Sequence, residues 1–283
     1  MFELRKTGIV RRASAALLDV ILLVVLTTGF MFILSLICDY SANEKLSNRY
    51  YGEWEEFRKT HVATVAEYYG YDYQTTGNSY TITKNGEKSS LDALMKSLGD
   101  SKGEDVVTKP AYDAYMELPS ANKVNWQYQY VYNLLFMMTS VGLLLAYVAL
   151  EFVMPLIFKN GQTVGKKVFG ICLVRPDCVK ITNLSLFART ILGKYAIETM
   201  FPVLLVFLFI FGGIGVLALI LLAALALLNI VLFFATKNRT PIHDLIAGTV
   251  SADMRTQMIF QTEDELVEKK ALAHKELVGQ ANG

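Results

Sequence analysis

The 283-residue chain is 53% hydrophobic, and its net charge of +1 says little because the charges are segregated; no nucleic-acid partner is expected. Its apolar residues gather into uncharged blocks too long for a soluble core helix, which excludes an ordinary soluble enzyme. Three cysteines, Cys38, Cys172 and Cys178, are too few and too badly spaced for a zinc site or a disulfide framework.

The first block, Ala13–Cys38, carries one charge, Asp19, behind the basic residues Arg5, Lys6, Arg11 and Arg12. It outruns a signal-peptide core and lacks a clean small-x-small cleavage site. Residues 1-38 therefore read as a cytoplasmic N-terminus and an uncleaved transmembrane helix. Arg12 and Asp19 are close to two helical turns apart, so they share one face about 10 Å apart along the axis. A carboxylate at that depth is costly unless it is protonated, paired or turned to a watery cavity.

Residues 39-130 are mixed in charge and hold both tryptophans and most of the tyrosines. They read as a small, mostly helical extracytoplasmic insertion. Glu44–Tyr69 and Leu91–Leu98 suggest helices, and Tyr80–Thr83 before Asn85-Gly86 suggests a short hairpin. Tyr50, Tyr51, Trp54 and the tyrosines of 68–73 form either a small core or a sugar- or peptide-binding face. Trp126, Tyr128, Tyr130 and Tyr132 mark an interfacial belt.

The second transmembrane helix, 131-158, has Glu151 as its one charge. A cytoplasmic loop, 159-188, follows, with Lys159, Lys166, Lys167, Arg175 and Lys180 against Asp177 alone. Thr199–Thr236 is wholly uncharged and would make a single helix of roughly 57 Å. Gly212-Gly213-Ile214-Gly215 instead divides 189-236 into transmembrane helices 3 and 4. The C-terminal segment, 237-283, brings Lys237, Arg239 and Arg255, then a capping box at Thr262 and Glu265 for a short solvated helix. The basic bias puts N- and C-termini in the cytoplasm. The fold class is thus an all-α integral membrane protein with four transmembrane helices and an insertion between helices 1 and 2. A three-span arrangement, with Leu184–Met200 on the surface, is the alternative.

Asp19, Glu151, Glu198 and Asn229 all fall roughly 10–14 Å inside their cytoplasmic borders. One polar group per helix at one depth suggests a shared interior site. Pro155 and Pro202 each stand four residues after a glutamate, Glu151 and Glu198, and leave those residues' carbonyls without a helical donor. Carboxylates and freed carbonyls are ligands suited to Na⁺ or to proton exchange. The same residues also fit a static clamp, with Lys194 neutralising Glu198, and Arg12 or Arg189 neutralising Asp19.

Three motifs carry a resemblance. Arg11-Arg12-Ala-Ser-Ala-Ala-Leu-Leu-Asp19 resembles the opening motif of RDD-domain membrane proteins. Gly161-Gln-Thr-Val-Gly165-Lys166-Lys-Val-Phe-Gly170 is similar to their loop motif, followed by an extended segment and Arg189. The second aspartate would be Asp244, in Arg239-Thr-Pro-Ile-His243-Asp244-Leu-Ile-Ala-Gly248-Thr249. The resemblance covers residues 5–38 and about 131–253 and does not reach the insertion. It implies RDD-motif residues Arg12, Asp19 and Asp244. Some family members are described as Na⁺/H⁺ antiporters, which would make Arg12 and Asp19 the ion-coupling pair. Asp244 also fits the start of a short helix capped by Thr240 and opened by Pro241. Gly161–Lys166 departs from a phosphate-binding loop, and Lys166 and Lys167 suit lipid headgroups instead.

No nucleophile has a base nearby, so no enzyme is expected. The chain reads as a multi-pass protein of the cell membrane, bounded by the lipid bilayer. Its expected activity is monovalent cation/proton antiport, with Na⁺ or H⁺ as the transported ion and no cofactor or metal. Asp19, Glu151, Glu198 and Asn229 are the ion-site candidates, supported by Arg189, Lys194 and His243. Four helices enclose little volume, so a homo-oligomer or a membrane-protein partner is expected. The alternative is a non-transporting scaffold, sensor or accessory subunit whose outer domain binds a partner.

Overall fold

A computed structural model describes residues 4–5, 7–76, 79–158, 160–210, 214–236, 238 and 240–281. The Gly212-Gly213 turn and the basic residues Lys6, Lys159, Lys237 and Arg239 lie outside them. Four helical stretches are long and apolar enough to cross a bilayer: Ile9–Ile37, Lys109–Phe158, Asn183–Ile210 and Val216–Ala235. The chain divides into two compact units, Ser35–Met137 and the remainder, Met1–Leu34 with Met138–Gly283.

Helix α1 (Ile9–Ile37) is followed by α2 (Tyr40–Tyr68) and an antiparallel meander of β1 (Asp72–Thr76), β2 (Ser79–Lys84) and β3 (Glu87–Ser89). The β2–β3 turn is Asn85-Gly86, both with positive φ (54° and 81°), as a two-residue hairpin requires. Ser90 then caps α3 (Leu91–Asp100) by accepting the Ala93 N–H at 3.2 Å. After α4 (Lys109–Glu117), the smaller unit closes around Phe57, Val62, Val65, Leu94 and Leu98. Trp54, Tyr69, Tyr71 and Tyr73 pack against that core, so these rings build the domain.

The second span begins as α5 (Ala121–Tyr147), widens into a π-helical turn at Val148–Val153 and ends as α6 (Met154–Phe158). Short α7 (Val164–Val168), strand β4 (Ile171–Val174) and α8 (Asn183–Phe187) lead into a longer π-helical segment, Ala188–Met200, continued by α9 (Phe201–Ile210). Then come α10 (Val216–Ala235), α11 (Ile242–Ala247), strand β5 (Val250–Asp253) and α12 (Glu263–Ala281). Each π segment lies just before a proline, Pro155 or Pro202, where a missing N–H already breaks the regular ladder.

The chain is mostly helical, 71%, but it is not all-α. β4 and β5 pair antiparallel, Ile171 opposite Asp253 and Val174 opposite Val250. All four residues of β4 are buried, so the strand shows no polar alternation that would announce it. Arg11 ties α1 to this pair: its guanidinium meets Asp253 at 2.6 Å and donates to the Phe169 carbonyl at 2.7 Å.

Candidate functional site

Asp19, Glu151, Glu198 and Asn229 are each met by a group from another part of the larger unit. Asp19 is buried on α1. Its Oδ2 accepts the Thr163 hydroxyl at 2.5 Å and its Oδ1 accepts the Gly165 N–H at 2.7 Å. The same hydroxyl accepts the Lys166 N–H at 3.3 Å, so Thr163 caps α7 while holding Asp19. A side chain at 165 has no room. A Cβ there would sit 2.2 Å from the Ala15 carbonyl oxygen and 2.8 Å from Asp19 Oδ1.

Glu151 is buried between two cations, Arg189 at 3.1 Å and Lys194. Its backbone carbonyl, the one Pro155 deprives of a helical donor, accepts the Thr190 hydroxyl at 2.9 Å. The carbonyl that sequence makes available to an ion is therefore already taken. Arg189, 1% exposed, donates through Nε to Asp244 Oδ1 at 2.8 Å. Thr249 donates to the same oxygen at 3.1 Å. Asp244 Oδ2 meets Arg12 at 4.0 Å, the longest ion pair among the described residues.

Glu198 holds His243 twice, accepting the backbone N–H at 3.2 Å and the ring Nδ1 at 2.7 Å. The Glu198 carboxylate accepts here, so Nδ1 bears a proton, and Nε2 lies 3.5 Å from Asp244 Oδ1. Gly193 makes this approach feasible, since a Cβ there would lie 2.6 Å from the His243 Cβ. Asn229 accepts the Ile242 N–H at 3.3 Å. Segment 241–249 is thus seated on the spans by side chains from Arg189, Glu198 and Asn229.

Several pairings differ from those that spacing suggests. Lys194 serves Glu151 rather than Glu198, because the π-helical geometry of 188–200 turns it toward the second span. The acid within salt-bridge distance of Arg12 is Asp244, not Asp19. Thr240 does not cap α11; its hydroxyl donates back to Thr236 at 3.1 Å. Lys166 does not face lipid headgroups but is buried, whereas Lys167 lies over the Phe158 ring. Lys166 and Thr190 were thus the site residues hardest to find from sequence. The adjacent lysine and the short loop gave no sign of which would turn inward.

Part of this set lines a cavity of about 320 Å³, whose wall includes Arg12, Asp19, Lys166, Arg189, His243 and Asp244. Of the four candidates at matched depth, Asp19 is there, and Glu151, Glu198 and Asn229 are not among the lining residues. Burial alone pushes the Asp244 carboxyl up, but Arg189, His243 and Lys166 outweigh it and hold it well below the usual carboxylate range. Burial holds His243 below the ordinary imidazole range against the pull of Asp244. Lys166 is brought down to about 7 by burial, with the Arg189 charge adding to it. Among the described residues, no cluster of three or more His, Cys, Asp or Glu could hold a metal ion.

Apolar spans around buried, alternately signed side chains define a helical membrane protein with an internal charged site. Residues 122–248 match the RDD family, and the chain therefore carries an RDD-family domain. The match includes Glu151, the Thr163–Gly165 loop, Arg189 and Asp244; α1, with Arg12 and Asp19, precedes it. No curated protein and no solved structure matches the chain.

Proposed function

We propose that this protein exchanges a monovalent cation for a proton across the cell membrane, and that Asp244, not Asp19, is the acid that changes partners. The observation carrying this reading is the asymmetry of Asp244. One oxygen is held by Arg189 and Thr249, while the other meets Arg12 at 4.0 Å, and both Asp244 and Arg12 line the cavity. Both oxygens of Asp19 are engaged by the 163–165 loop, which suits a clamp.

Asp244 stays ionised at neutral pH, so the proton falls to its neighbour. Protonated on Nε2, His243 donates to Glu198 and Asp244 together. A cation arriving at Asp244 repels that charge and expels the proton from Nε2; its departure lets the proton return. Two competing countercharges at one carboxylate are sufficient for exchange. The basic residues at 167, 175, 180 and 255 support cytoplasmic termini. The lipid bilayer is the partner, and a homo-oligomer would enlarge the enclosed volume.

Proteoliposomes loaded with a pH-sensitive dye test this. A Na⁺ or K⁺ pulse should move protons, and His243→Ala or Asp244→Asn should abolish the movement in protein that remains folded. Wild-type vesicles that show no cation-driven proton flux reject the reading.

A second reading, a scaffold whose outer domain binds a partner, draws on the separate hydrophobic core of Ser35–Met137. It predicts that removing 42–125 ends function, whereas exchange should survive that deletion.

A further inference from the structure

Lys166 is 8% exposed, and its ammonium nitrogen has no hydrogen-bond partner among the described residues. A buried, unpaired ammonium costs several kcal/mol. The carboxylates that act on it are Glu151 and Asp244, and both are engaged by Arg189, with Lys194 also on Glu151. Arg189 and Lys194 face it with like charge. The fold therefore places a cation at the cavity wall with no carboxylate in hydrogen-bond contact with it among the described residues.

We propose that the cavity binds a phosphate group, with Lys166 as its principal contact and Arg12 as the second. Both line the cavity, and they come from different elements, α7 and α1. Arg12 lies over the Phe233 ring, 5.3 Å from its centre, and 4.0 Å from Asp244. A tetrahedral oxyanion can meet a lysine with one oxygen and an arginine with two others, a division that a planar carboxylate serves less well. Ile9, Ala13 and Phe233 give the same cavity an apolar wall, so the phosphate can belong to a lipid headgroup or be free in solution. This inference is independent of cation exchange, because binding is measured without any flux.

A bound dianion or monoanion restores the proton to Lys166. Its charged neighbours around the cavity are Arg189, Lys194, Glu151, Asp244, Arg12, Asp19 and His243. Among these, Lys166 is the group brought to about 7, so binding takes up a proton and affinity falls as pH rises through that value.

Calorimetric titration of the purified full chain in neutral detergent with inorganic phosphate tests the soluble source. Nanodiscs of phosphatidylcholine, with and without phosphatidic acid, test the lipid source. We expect binding in at least one arm, weaker in alkaline than in mildly acidic buffer. Lys166→Met should weaken it roughly 10- to 100-fold, the loss of one charged hydrogen bond. The same substitution should raise the melting temperature of the ligand-free protein, since it removes an uncompensated charge, and that shift verifies folding. Competition between inorganic phosphate and the lipid assigns the source. Wild-type protein that binds neither, Lys166→Met protein that binds as wild type does, or an affinity flat with pH overturns the proposal.

Discussion

The two units of this chain solve opposite problems with the same residue types. Ser35–Met137 gathers a hydrophobic core and keeps the acid of its ion pairs in the open: Phe57, Val65, Leu94 and Leu98 are buried, while Glu55 shares an exposed carboxylate between buried Arg58 and exposed Lys59. The larger unit does the reverse. Leu17, Val25, Phe32 and Leu228 are exposed, and Arg189, Glu151, Asp244 and Asp19 are buried. Water drives the first arrangement through the hydrophobic effect. In hydrocarbon, apolar contact between helices brings little net gain, so satisfied polar groups specify how helices and loops meet. Electrostatics is thus an accessory in one unit and the organising force in the other.

Substitutions can break this contrast, and the largest effect is expected at Arg189. Arg189→Met strands Glu151 and Asp244, and should cost about 3–5 kcal/mol. Thermal loss of near-UV circular dichroism in micelles measures it, and a melting temperature within a degree of wild type would contradict a charge-organised unit. Next comes Leu94→Ala, which opens the core of the smaller unit at about 3 kcal/mol. Limited proteolysis should then cut within 40–108 and leave the spans intact. Asp19→Asn keeps the shape but weakens two charge-assisted bonds, to Thr163 and Gly165, at about 1.5–3 kcal/mol. Its signature is faster amide exchange at Gly165, with cation-driven proton movement retained in the folded fraction. Smallest is Glu55→Gln: the Glu55 carboxylate is exposed and Arg58 keeps the Tyr73 hydroxyl, so unfolding at neutral pH should change little. Glu55 is lowered to about 2 by its bonds to Arg58 and Lys59, so any contribution is present above the ordinary glutamate range and fades as pH falls toward that value.

Much of the framework was legible because a bilayer imposes a length. The fourth span, expected in the part of 189-236 beyond the glycines, is Val216–Ala235, and the hairpin turn at Asn85-Gly86 sits where its residue types place it. The polar residues at matched depth were legible for the same reason, since a lone acid stands out in an apolar run. Their partners were not. Asp19 meets Thr163 across 144 residues, and Glu198 meets His243 across 45. Helical spacing speaks only for neighbours within a turn or so. Even there, the π-helical turn moves Lys194 off the face that an α-helix would give it. The β4–β5 pair escaped for a different reason: strands of four residues, buried throughout β4, lack the alternation that marks a half-exposed sheet.

The long separation between Asp19 and Thr163 has a consequence for biogenesis. The first helix leaves the ribosome with its aspartate well before the threonine that will hold it has been translated. Until then the insertion machinery, the lipid or a borrowed proton must shelter that side chain. The inner loop is therefore a late-arriving part of the first span, and a nascent chain arrested before residue 163 should be conspicuously easy to extract from the membrane.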